Sequence, residues 1–140
     1  DLFFTVGAVS FAVGHFLYMA ALQNTGAVKL SVVLSALFVA ILLSFIYGKK
    51  TGMDFGEKTP VAIAYICVVL LMASVAISVA VRTMSVAGVL FALGGILFSV
   101  SDNILCAYCY GKKPVWKMNC DLHIAYYGAQ LAIAWSILFV

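Results

Sequence analysis

Polar residues interrupt this chain in four places, and the apolar runs between them are long enough to cross a lipid bilayer. The runs are Leu2–Leu22, Leu30–Tyr47, Val61–Val81, Ser85–Tyr110 and Leu122–Val140, against a need of about 20 mostly apolar residues per spanning helix. Between them lie Gln23–Lys29, a polar loop at Gly48–Pro60, a tight turn at Arg82–Met84, and Gly111–Asp121, which carries Pro114. A membrane β-barrel needs strands that alternate apolar and polar positions, and uninterrupted runs of this length lack that alternation. The pattern predicts an all-α, polytopic transmembrane helix bundle with five spanning helices. Short connections make sequence neighbours antiparallel neighbours in space. With no internal repeat and no low-complexity linker, a single membrane domain over residues 1–140 is the simplest division.

Composition agrees with the pattern. Hydrophobic residues make up 66% of the chain and charged residues 9%, with a mean hydropathy of +1.17, whereas soluble domains are about a quarter charged. The net charge is only +3 and the Lys residues sit in short loops, which speaks against a nucleic-acid partner. Lys49, Lys50, Lys58, Lys112, Lys113 and Lys117 fall on one face, and only Lys29 and Arg82 on the other. The positive-inside rule therefore predicts that the six-Lys face is cytoplasmic. Lys112, Lys113 and Lys117 are read first as this topology signal, with a lipid phosphate as the alternative ligand. The chain opens on Asp1 without an initiator Met or signal-peptide pattern and stops inside an apolar run, so it is expected to be a piece of a longer protein.

Asp102 is the acidic residue that stands out, because it lies well inside an apolar run. A carboxylate at bilayer depth is costly to insert and marks function more often than packing; the structural alternative is a hydrogen bond to a neighbouring helix. Gly88, Ala92, Gly95, Ser99, Asp102 and Cys106 recur at spacings of three and four, which gathers them on one helical stripe of small residues ending near a carboxylate. The fifth run offers His123, Tyr127, Gln130 and Ala134 at matching spacing. At 1.5 Å per residue, Asp102 lies about 12 Å before Tyr110 and Gln130 about 12 Å beyond Leu122. The last hairpin is thus expected to bring Asp102 and Gln130 to one depth and one cavity, with His15, Tyr65 or Tyr127 among its walls. Gln130 then either satisfies Asp102 or orients a substrate or water. One of Tyr126 and Tyr127 is expected at the membrane interface.

His15 shares a face with Phe4, Ala8, Phe11, Tyr18 and Leu22. A lone buried His is more often a hydrogen-bonded core residue than a catalyst, yet lipid offers it no water, so ligand contact or catalysis stays open. The opposite face, Gly7, Ser10, Gly14 and Tyr18, reads as a packing stripe. Cys106 and Cys109 have C-x-x-C spacing, but they come with no second pair, no clustered His and no thioredoxin-like strand; with Cys67 and Cys120 they read as small apolar filler. No metal or cofactor is expected.

These residues resemble the lysoplasmalogenase (YhhN-like) membrane family in its eukaryotic-type form. Phe11 and the run Gly14-His15-Phe16-Leu17-Tyr18 are similar to a family helix that reads Phe, then His, then Tyr three residues on; Tyr65 and Met72 fit a Tyr…Met pattern. Gly95-Ile96-Leu97-Phe98-Ser99-Val100-Ser101-Asp102 resembles the family's Gly…Leu-Phe…Ser-Asp signature, and Tyr126-Tyr127-Gly128-Ala129-Gln130 its final Tyr…Ala-Gln. The resemblance covers essentially the whole chain and implies about eight helices of spanning length in the family, three of them before Asp1. It also implies a second Asp upstream, in a Gly-Asp element with which Asp1 is not equated. Cys106-Ala107-Tyr108-Cys109-Tyr110 departs from the Ala, Asn and Lys that members tend to show here.

The resemblance implies hydrolysis of the vinyl ether of lysoplasmalogens, with a lysophospholipid substrate, in a multi-pass protein of the endoplasmic reticulum membrane. Asp102 is carried over as the catalytic residue, and His15, Tyr18, Tyr65, Ser99, Tyr127 and Gln130 as substrate-binding residues. The chemistry suits a pair of carboxyls with separate protonation states, because an acid must protonate a vinyl carbon before water adds. The competing expectation is a transporter or a proton- or ion-conducting subunit using Asp102 and His15, and a third is a structural membrane partner without a site. Membrane lipid is a partner in every case. Homo-oligomerisation stays open.

Overall fold

The computed structural model describes residues 2–140, with side chains from residue 5 onward. Asp1 and the Phe4 side chain, expected on the His15 face, lie outside the described residues. Five helices form: α1 (Leu2–Gln23), α2 (Leu30–Thr51), α3 (Thr59–Thr83), α4 (Val86–Tyr110) and α5 (Trp116–Ser136), with 3-10 turns at Gly56–Lys58 and Ile137–Phe139. Each of the five is long and apolar enough to cross a membrane. No strand occurs among the described residues.

Local chemistry sets the helix ends beyond the apolar runs. α2 continues past Tyr47 to Thr51 and stops where Gly52 turns left-handed at φ 66°, so that Gly52 N–H and Met53 N–H close onto the carbonyls of Lys49 and Gly48 at 3.3 and 3.1 Å. Lys49 and Lys50 lie in its last turn, where the helix dipole favours cations. Pro60 opens α3. The Ser85 hydroxyl caps α4 by accepting from Gly88 N–H at 3.0 Å. The largest departure is α5, which starts at Trp116 and not at Leu122. Trp116-Lys117-Met118-Asn119-Cys120-Asp121 is helical although polar, because hydropathy reports depth in the bilayer and says nothing of where a helix begins.

α3 packs against α1, α2 and α4, and α4 packs against α3 and α5. Two adjacent glycines allow α4 its two close neighbours. A Cβ on Gly95 would come within 3.1 Å of Ala73 Cα on α3, while one on Gly94 would meet Ile133 Cγ1 at 2.5 Å and the Ala129 carbonyl at 3.0 Å on α5. Small residues at such contacts are the usual route to close helix packing in lipid. The small-residue face expected on α1 is different: a Cβ on Gly7 or Gly14 would meet nothing within 4 Å among the described residues, so neither glycine serves a close helix contact there, and only Tyr18 of that stripe packs on another helix, at Phe91 of α4.

The two Lys-rich loops meet at one end of the bundle. Asp54 N–H donates to the Tyr110 carbonyl at 3.0 Å and Lys112 N–H to the Thr51 carbonyl at 3.1 Å. At the other end Lys29 N–H donates to Ser78 Oγ at 2.8 Å, and the Ser78 hydroxyl returns a bond to the Lys29 carbonyl at 3.3 Å. Large apolar side chains such as Leu34, Phe38 and Phe45 on α2 and Phe16 and Leu17 on α1 point outward, as lipid contact requires.

Candidate functional site

α1 presents Phe11, His15 and Tyr18 at helical spacing toward the bundle, and three other helices answer with aromatic rings. Phe98 of α4 stands at the centre. Its ring lies 5.0 Å from His15, 5.4 Å from Tyr126 and 6.5 Å from Phe11, each edge-on. Tyr65 of α3 lies 6.4 Å from His15, and Tyr18 bridges His15 at 6.3 Å to Phe91 at 5.6 Å. Edge-to-face pairs of this kind fix ring orientation as well as burying area.

Asp102 sits one helical turn beyond Phe98, and its Oδ2 accepts a hydrogen bond from the Tyr65 hydroxyl at 2.8 Å. The carboxyl is 6% exposed, and its partner is a neutral phenol on a neighbouring helix. His15 is 1% exposed, and neither ring nitrogen has a hydrogen-bond partner among the described residues. Buried polar groups are nearly always satisfied. A buried acid on a phenol and a buried imidazole with both nitrogens open therefore share one packed aromatic cluster between α1, α3, α4 and α5.

A model of the YhhN family matches residues 1–137. The chain belongs to the YhhN family. No curated protein and no solved structure matches it. In this YhhN-family chain, Phe11, His15, Tyr18, Tyr65, Asp102 and Tyr126 come from four helices and gather in the one cluster around Phe98.

The remaining expected site residues of this YhhN chain lie elsewhere. Tyr127 is 61% exposed and lies beside His123 on the outer face of α5, and it is Tyr126 that packs on Phe98 and Phe11. Of the stripe His123, Tyr127, Gln130 and Ala134, all but the half-buried Gln130 are exposed on the outward edge of α5, and Ala125, Ala129, Ala132 and Ile133 face inward. Gln130 does not reach the depth of Asp102. Ser101 Oγ donates to the Leu122 carbonyl at 2.9 Å, and a Cβ on Gly128 would lie 3.5 Å from Leu97 Cδ1. That register sets Asp102 level with the turn around Leu122 and Gln130 level with Gly95, a separation of about 10 Å along the axis. The early start of α5 is the cause. Gln130 Nε2 instead donates to the Tyr126 hydroxyl at 3.3 Å and joins the cluster through that ring. Ser99 bonds its own helix at the Gly95 carbonyl, 3.0 Å away, and faces α2.

Phe98 and Tyr126 belong to the cluster but are not among the expected site residues, although both lie within the motifs quoted above. Each was in reach of one signal, since Phe98 lies four residues before Asp102 and Tyr126 four before Gln130, which puts each on its partner's face. Cys67, Cys106, Cys109 and Cys120 are free thiols, and no group of three or more His, Cys, Asp or Glu capable of holding a metal occurs among the described residues.

Proposed function

We propose that this protein is a membrane hydrolase of the endoplasmic reticulum that cleaves the vinyl ether of lysoplasmalogens to a fatty aldehyde and a glycerophospho-head-group. The observation that carries the reading is the Tyr65–Asp102 hydrogen bond inside a buried aromatic cluster, read together with membership of the YhhN family. Cleavage begins when a proton is delivered to the vinyl carbon remote from the ether oxygen, which leaves positive charge on the carbon bonded to oxygen. Water adds there with loss of a proton, and the hemiacetal collapses to aldehyde and alcohol. Asp102 handles one of these protons, oriented by Tyr65, and the second carboxyl implied upstream handles the other. The faces of Phe98 and Tyr126 suit a passing oxocarbenium charge, since aromatic rings attract cations most strongly where water is excluded. His15, with both nitrogens open, holds the substrate's ether or hydroxyl oxygen, and Tyr18 packs beside it against Phe91.

Asp102→Asn keeps the shape of the side chain and removes its ionisable proton. In the purified full-length protein, aldehyde release from a lysoplasmalogen is expected to fall ~10²–10⁴-fold, the usual contribution of general acid–base work, with unchanged elution and helix content. Near-normal turnover by Asp102→Asn removes Asp102 from the mechanism.

A further inference from the structure

The faces of α3 and α4 turned away from the cluster form a second feature. Cavities of ≈ 710 and 420 Å³ adjoin there, overlapping in depth between Ile41 and Tyr47 of α2, which walls both. Ser44, Leu70 and Asn103 line both cavities, so these three side chains stand where the two parts of the groove adjoin. Along α2 it runs from Val32 to Lys49, about 26 Å of helix against a hydrocarbon core of about 30 Å.

Its polarity is graded. From Val32 to Leu43 the α2 wall is aliphatic apart from Ser35, whose hydroxyl is already bonded to the Ser31 carbonyl at 2.9 Å. Where the cavities join, the Ser44 hydroxyl has no hydrogen-bond partner among the described residues. Asn103, facing it, uses Nδ2 on the Ser99 carbonyl at 2.8 Å. Open hydrogen-bonding capacity at bilayer depth is costly, so bare hydrocarbon is a poor occupant at this level. Cations gather at the mouth. Lys49 lines it with Nζ 4.8 Å from the Phe45 ring centroid. The Lys112 stem crosses Gly52, close enough that a Cβ there would come within 2.9 Å of Lys112 Cδ.

We propose that this groove holds one acyl chain of an anionic glycerophospholipid from the surrounding bilayer. The phosphate sits at Lys49 and Lys112, an ester oxygen at Ser44 and Asn103, and the chain lies along α2 toward Val32. Ser44 and Lys49 are about 7–8 Å apart along the helix, the order of separation between a phospholipid's phosphate and its ester groups. The concentration of Lys on this face favours anionic over zwitterionic head-groups. The second acyl chain stays in the bilayer, beside the outward apolar face of α2. The site is separate from the Asp102 cluster and stands whether or not that cluster cleaves a vinyl ether.

The test is native mass spectrometry of the purified full-length protein in detergent, titrated with phosphatidylglycerol. One retained lipid is expected. Ala40→Trp, which fills the groove, is expected to abolish retention, while Leu131→Trp on the exposed face of α5 leaves it intact. Lys49→Ala weakens binding about fivefold, the effect of one Lys at an anionic lipid surface. Ser44→Ala, too small a change to unfold the chain, weakens it about 2- to 10-fold. Wild-type retention by Ala40→Trp, no retained lipid in the wild type, or retention of lysophosphatidylcholine in preference to phosphatidylglycerol each overturns the proposal.

Discussion

Replacing Tyr65 by Phe removes one oxygen and leaves the ring against His15, so it isolates the bond that orients Asp102. The hydroxyl donates at 2.8 Å to a carboxyl that is 6% exposed, and no other side chain among the described residues takes its place. Interhelical hydrogen bonds in membranes couple by only about 0.6 kcal/mol on average, whereas bonds to a charged group are worth about 1.5–3 kcal/mol. The coupling therefore also reports the state of the carboxyl. A double-mutant cycle of Tyr65→Phe and Asp102→Leu, which removes the acceptor as well as the donor, read by unfolding in detergent, is expected to give at least about 0.6 kcal/mol. It approaches the upper range if Asp102 is ionised. If Asp102 must be oriented for proton transfer, Tyr65→Phe also slows aldehyde release by up to about 150-fold, the kinetic equivalent of 3 kcal/mol. Additive effects on stability together with wild-type turnover in Tyr65→Phe would refute the view that this phenol positions the acid.

Other expectations test the packing and the orientation. A variant retaining only Cys120, an exposed thiol near the start of α5, should react with an impermeant maleimide from the cytoplasmic side of sealed vesicles; labelling confined to the luminal side reverses the orientation. Gly94→Ala drives a methyl into Ile133 and the Ala129 carbonyl and should cost about 1–3 kcal/mol. Gly128→Ala meets only Leu97 at ordinary contact distance and should be neutral or slightly stabilising in the same unfolding assay. Tyr126→Leu should lower turnover while Tyr127→Leu leaves it near wild type, and equal losses would show that the outer face of α5 belongs to the site.

The spans were legible in the sequence because hydropathy integrates over many residues, and the burial of His15 and Asp102 followed from their positions inside apolar runs. Depth matching was not legible. It required the starting height of α5, and Trp116–Asp121 reads as loop by polarity although the backbone there is helical. One misplaced helix start displaced Gln130 from Asp102 and assigned the outer edge of α5 to the site. The choice between Tyr126 and Tyr127 failed for the same reason. Phe98 was hidden differently: in a chain this rich in apolar residues, a ring at the centre of a cluster carries the same letter as one facing lipid.

α2 is fastened to its neighbours at both ends, by Ser78 at Lys29 and by the Lys112 amide at Thr51, and between these points its sequence holds no Pro and no Gly before Gly48. A helix pinned like a beam on two supports, with no break at which to flex, keeps a fixed gap beneath it. Any change in the clearance under α2 then has to come from loosening one of those two end attachments, not from bending within the helix.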